Sequence, residues 1–134
     1  MNNKKLLLTF VAGFVVMFIL SGLWYLVIMK GFYSKQFADV QRPEFNMVWI
    51  TIGYLVAAIL LAYIYPHGYK GGPPMKEGMK FGLLMGLLMA LPISLVHLGV
   101  HNVPLTGSLV DTIYQVVEKI AGGITIGLVY GKSS

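Results

Sequence analysis

Apolar residues dominate four runs, 6–29, 45–65, 75–101 and 108–130, separated by three short polar connections. A helix of about 20 apolar residues is long enough to cross a bilayer. The pattern therefore predicts an all-α integral membrane protein with four antiparallel transmembrane helices in a single domain, 1–134. The first run carries no charge and ends in Trp24 and Tyr25, with Phe32 and Tyr33 just beyond. Trp and Tyr favour the headgroup level, so these residues mark a membrane interface. Lys4 and Lys5 followed by apolar 6–20 have the layout of a secretory signal. The run continues past signal length and no small-residue cleavage site follows, so a retained first helix is expected.

The connections carry recognisable punctuation. The 30–44 loop is mixed in charge, with Lys30, Lys35, Asp39, Arg42 and Glu44, and Pro43 stops any helix before it. A short surface helix over 34–40 fits this loop. Asn46 or Glu44 can cap the second run, and Pro66-His67-Gly68 ends it. Pro92 lies inside the third run and bends it, with Ser94 placed to reach the freed carbonyl. Thr106 or Ser108 can cap the fourth run, with Asp111 favourably placed near its positive end.

Composition agrees with the pattern. Hydrophobic residues make up 57% of the chain and charged ones 11%, too few to clothe a water-soluble domain. The absence of cysteine excludes disulfides, thiolate metal sites and a thiol nucleophile. The net charge of +5 lies between apolar runs, so it flanks a bilayer rather than forming a nucleic-acid surface. With the N-terminus inside, Lys4, Lys5, Lys70, Lys76, Lys80 and Lys132 fall on the inner side. Only Lys30, Lys35 and Arg42 fall outside, and the 101–107 loop has no Lys or Arg. The expectation is a multi-pass protein of the cell inner (plasma) membrane with both termini cytoplasmic.

Small residues recur every fourth position in the last two runs: Gly78, Gly82, Gly86, Ala90 and Ser94, then Gly123, Gly127 and Gly131. Such stripes let helix backbones approach closely in lipid. They can pack on each other within one chain or against a second copy, so the expected partners beyond the lipid bilayer are a homodimer or a larger membrane complex.

Candidate chemistry gathers around the last connection. His97 and His101 are spaced i, i+4 and share a helix face, with Asp111 just across the loop. That trio could hold a divalent transition metal, though interfacial histidines bonded to backbone or water are the plainer expectation. No other cofactor is expected. Glu118, with Lys119 beside it, falls near mid-membrane, where ionisable groups are costly and face the bundle interior or water. Helical phase aligns Asp111, Gln115, Glu118 and Gly122 in one polar stripe. With His97, His101, Tyr114 and this stripe, an outward-facing pocket for a cation, proton or small polar ligand is one reading. The other is a structural network in which Tyr54 or Tyr114 satisfies Glu118. No G-x-S-x-G, P-loop or H-E-x-x-H motif is present, so an enzyme is the least favoured class.

Gly22-Leu23-Trp24-Tyr25 at the end of the first run resembles an element of a bacterial four-helix family, domain of unknown function number 1761. Ile113-Tyr114-Gln115-Val116-Val117 and Gly122-Gly123-Ile124 in the last run are similar to its final helix, and Lys30-Gly31-Phe32-Tyr33 approximates its basic-aromatic element. The resemblance implies an integral membrane protein with no established activity. Two functions then compete: a small binding or transport protein for a cation or polar solute, and an accessory or scaffold subunit docked through its glycine faces.

Overall fold

The computed structural model describes residues 3–38 and 46–132, and all regular structure among them is helical. Helix α1 (Asn3–Gly22) runs directly into a π-helical segment (Leu23–Ile28), followed by short α2 (Lys30–Gln36), then α3 (Met47–Gly68), α4 (Pro74–Val100) and α5 (Leu105–Lys132). Three helices are long and apolar enough to cross a membrane: Asn3–Ile28, Met47–Gly68 and Pro74–Val100. The fourth expected span, α5, has sufficient length but is the most polar of the long helices, with Asp111, Gln115 and Glu118 in its first half and Lys119 just beyond.

Local chemistry sets the ends. Asn46 Oδ1 accepts from the amides of Val48 and Trp49 at 3.1 and 3.4 Å, so Asn46 caps α3. Asp39, Arg42, Pro43 and Glu44 lie outside the described residues. A short helix, α2, does form here, but it begins four residues earlier than the pattern suggested and ends at Gln36; 39–40 of the expected 34–40 helix lie outside the described residues. Pro74 stands at the first turn of α4, where its missing N–H costs nothing. Gly71, in the preceding turn, takes φ +80°, a conformation that side chains resist. α5 starts at Leu105 with the Pro104 carbonyl accepting from Ser108 N, so Thr106 and Ser108 are inside its first turn rather than capping it.

Helices α4 and α5 pack antiparallel through their two glycine stripes. A methyl group at Gly82 would collide with the Lys119 carbonyl and lie 2.6 Å from Ile120 Cα. One at Gly86 would lie 2.9 Å from Val116 Cα, and one at Gly127 3.0 Å from Gly78 Cα. Gly131 meets the Pro74 ring. The stripes are therefore consumed within the chain, since any side chain there would push the backbones apart.

On its other side α5 meets α1: Met17 seats its sulfur over Gly122, and Ile126 fills the space left by Gly13. Met17, Ala58, Leu61, Tyr65 and Ile126 form the buried core. Helix α3 leans mainly on α1, so α1 and α5 occupy the middle of the bundle. α3 and α4 are apolar around most of their circumference and expose residues such as Val48, Trp49, Leu88 and Val96. That distribution suits helices whose outer surfaces meet lipid. At Pro92, Ser94 does not serve the freed carbonyl as expected. Its hydroxyl lies 2.8 Å from that of Thr112 and so ties α4 to α5.

Candidate functional site

The polar side of α5 faces α1, the π-helical segment, α2 and α3, and a single hydrogen-bonded network forms there. Lys119 is its central donor. Its Nζ reaches Glu118 Oε2 at 2.6 Å and Gln115 Oε1 at 3.4 Å. The Gln115 amide donates to Tyr25 Oη at 2.8 Å, and Tyr25 donates to Asp111 Oδ1 at 2.6 Å. Tyr33 donates to the same carboxylate oxygen at 2.9 Å and accepts from Trp24 Nε1 at 2.8 Å. At the inner end, Tyr54 and Tyr114 both donate to Glu118 Oε1, at 2.8 and 2.9 Å.

Each partner is delivered by a feature of the local fold. The π turn carries an i→i−5 bond from Met29 N to Trp24 O. Within it the consecutive residues Trp24 and Tyr25 both contact Tyr114, whereas successive residues of an α-helix point about 100° apart. The Trp24 ring stacks on Tyr114 at 4.7 Å and Tyr25 meets it edge-on at 5.3 Å. Gly107 lets α2 settle on the start of α5, with Gln36 Cβ only 2.9 Å from where a Cβ would stand. That contact holds Tyr33 over Asp111. Burial, above all, pushes the Tyr33 phenol above its ordinary range; the Trp24 hydrogen bond opposes the rise, and the neighbouring Asp111 carboxylate adds to it.

Burial is steep along the stripe. Asp111 is half-buried, whereas Glu118 is 0% exposed and Lys119 5%. Glu118 lies about 20 Å from the start of α5 at ~1.5 Å per residue, close to its midpoint. Glu118–Lys119 is the one ion pair between side chains among the described residues. Asp111 receives two hydroxyl donors and no cation from the described residues. With these three groups ionised, two carboxylates stand against one ammonium, and the network carries one negative charge in excess.

The residues named from sequence divide accordingly. Asp111, Tyr114, Gln115 and Glu118 meet in this network. His97 and His101 do not join it. Their rings sit together, 5.2 Å apart, on an exposed face of α4. No group of three His, Asp or Glu among the described residues is arranged to hold a metal. The trio of His97, His101 and Asp111 is thus not assembled: α4 covers the glycine face of α5, and Asp111 points away from it towards Tyr25 and Tyr33. Sequence reasoning missed Trp24, Tyr25, Tyr33 and the central place of Lys119. The aromatic trio carried a signal, but the same residues also mark an interface.

Two comparisons with known proteins returned nothing: no curated protein and no solved structure matches the chain. A family model described as Protein of unknown function (DUF1761) matches residues 8–127.

Proposed function

We infer that this chain, which belongs to the DUF1761 family of proteins of unknown function, is a four-span membrane transport protein that accepts a proton at Asp111. The observation that carries the reading is the unbalanced charge of the buried network. The excess lies on half-buried Asp111, where water screens it only in part, and binding one proton removes it. Asp111 Oδ1 accepts from Tyr25 and Tyr33, whereas its Oδ2 has no donor among the described residues, so this oxygen offers a place for a proton more readily than the site offers one for a hydrated metal ion. Gln115 joins the half-buried acceptor to the deep Glu118–Lys119 pair through an amide.

Support for α5 as the fourth span comes from its inverted pattern. Its polar side is buried, and Leu105, Leu109, Ile113 and Val117 form an exposed apolar stripe, each 50% exposed or more. That is how a helix looks when its outer face meets lipid. With four spans both termini would share one side, and the lysine distribution supports the cytoplasmic side of a plasma membrane for them. A proton flux assay tests the reading. The chain is reconstituted in vesicles containing a pH-sensitive dye, and a potential is imposed. Wild type is expected to move protons, with Asp111→Asn abolishing the flux.

A second reading has its own observation. Every buried donor and acceptor of the network finds a partner, which suits a clamp holding the helices in register. Under that reading the chain is an accessory or scaffold subunit, alone or as a homodimer. It would give no flux, and the substitutions would change melting alone.

A further inference from the structure

At the other end of the bundle, α3 and α4 diverge and leave a cleft of about 600 Å³, a volume typical of a ligand site. Its walls change character with depth. Ile64, Phe81, Leu84 and Met85 make an apolar trough along the helices, and Lys70, Lys76 and Lys80 stand at its rim with His67. The lysines are exposed, and none forms an ion pair among the described residues. Glu77, the acid in the same wall, lies 3.3 Å from the Gly72 amide and is turned to the α3–α4 turn. The first turn of α4 adds its positive end to the rim.

We propose that this cleft binds an anionic phospholipid, with its phosphate at Lys70, Lys76 and Lys80 and an acyl chain in the trough. Charge complementarity selects an anionic headgroup over a zwitterionic one, and the apolar trough selects a lipid over a free anion. The proposal rests on the membrane reading above and is independent of the network at Asp111.

The full chain, purified in neutral detergent, is titrated with phosphatidylglycerol, phosphatidylcholine or inorganic phosphate. Native mass spectrometry reads lipid retention, and melting reads stabilisation. The expected result is one retained phosphatidylglycerol per chain with a raised Tm, weak retention of phosphatidylcholine, and no effect of phosphate. Neutralising Lys70, Lys76 and Lys80 to Gln weakens retention roughly fivefold for each lysine. The control Lys30→Gln/Lys35→Gln, at the opposite end, leaves it unchanged. Equal retention of the two lipids, equal loss in the control, or full stabilisation by phosphate alone would overturn the proposal. Because proton flux is read separately, loss of either result leaves the other standing.

Discussion

Lys119 Nζ lies 2.6 Å from Glu118 Oε2, an ion pair between sequence neighbours buried at the middle of α5. Adjacent helical residues point about 100° apart, so the long lysine chain must fold back to reach the carboxylate. Towards α4 the Lys119 Cβ already lies 3.1 Å from where a Cβ on Gly86 would stand, so the side chain has little room on that face.

That geometry makes the pair sensitive to removal of one partner. Lys119→Met leaves Glu118 charged and unpaired in a dry site, and is expected to cost about 3–5 kcal/mol. Glu118→Gln strands Lys119 in the same way. Combining the two removes both charges, so the double variant is expected to melt above Lys119→Met alone. Thermal melting in detergent checks the order. Strict additivity would show that the two side chains do not act as a pair.

The glycine seam gives a steric prediction. Gly82→Leu forces the Lys119 and Ile120 backbone away from α4, and is expected to destabilise by about 1–3 kcal/mol or more. Gly99→Leu meets no atom within 4 Å and is expected to be tolerated. Comparable yields and melting temperatures for the two would mean that α4 and α5 are not closely packed.

Much of this bundle is legible in the sequence because its punctuation is strong. Proline and glycine bracket α3 and α4, and the four-residue repeats identify the faces that meet. The polar stripe of Asp111, Gln115 and Glu118 follows from helical phase alone. The partners of that stripe are harder to read. Trp24 and Tyr25 carry the composition of an interfacial belt, and nothing in 23–28 announces a π turn, since it contains neither Pro nor Gly. Tyr33, the second donor to Asp111, arrives because Gly107 admits α2, a long-range consequence of one missing side chain. The histidine pair misled for the opposite reason: its i, i+4 spacing is real, but the third ligand faces another helix.

Tyr33 links alkaline pH to stability. Its phenol is held above the ordinary value of 10.0, so the folded state favours the neutral form. The stabilisation is complete below pH 10.0 and is lost as pH rises beyond it. Tyr33→Phe is expected to lower stability by about 1–2 kcal/mol at neutral pH, by removing a donor to Asp111 and stranding Trp24 Nε1. It should also flatten the alkaline fall in Tm. An unchanged alkaline slope would count against Tyr33 as a contributor.

For the histidines the expected outcome is modest. Two exposed imidazoles without a third ligand should bind added zinc weakly, so dialysis with a chelator should leave wild type and His97→Ala/His101→Ala with the same Tm. Stoichiometric metal that survives purification and disappears in the variant would restore a metal centre at that face.

The central claim is that the buried network gains a proton at Asp111. Infrared difference spectroscopy across a pH step reads it directly, because a protonated carboxyl has its own C=O stretch. The account predicts that this band is present in wild type, absent in Asp111→Asn and weakened in Glu118→Gln, which removes the excess charge. A band that survives in Asp111→Asn, or no carboxyl band in wild type at any pH that preserves the fold, would contradict it.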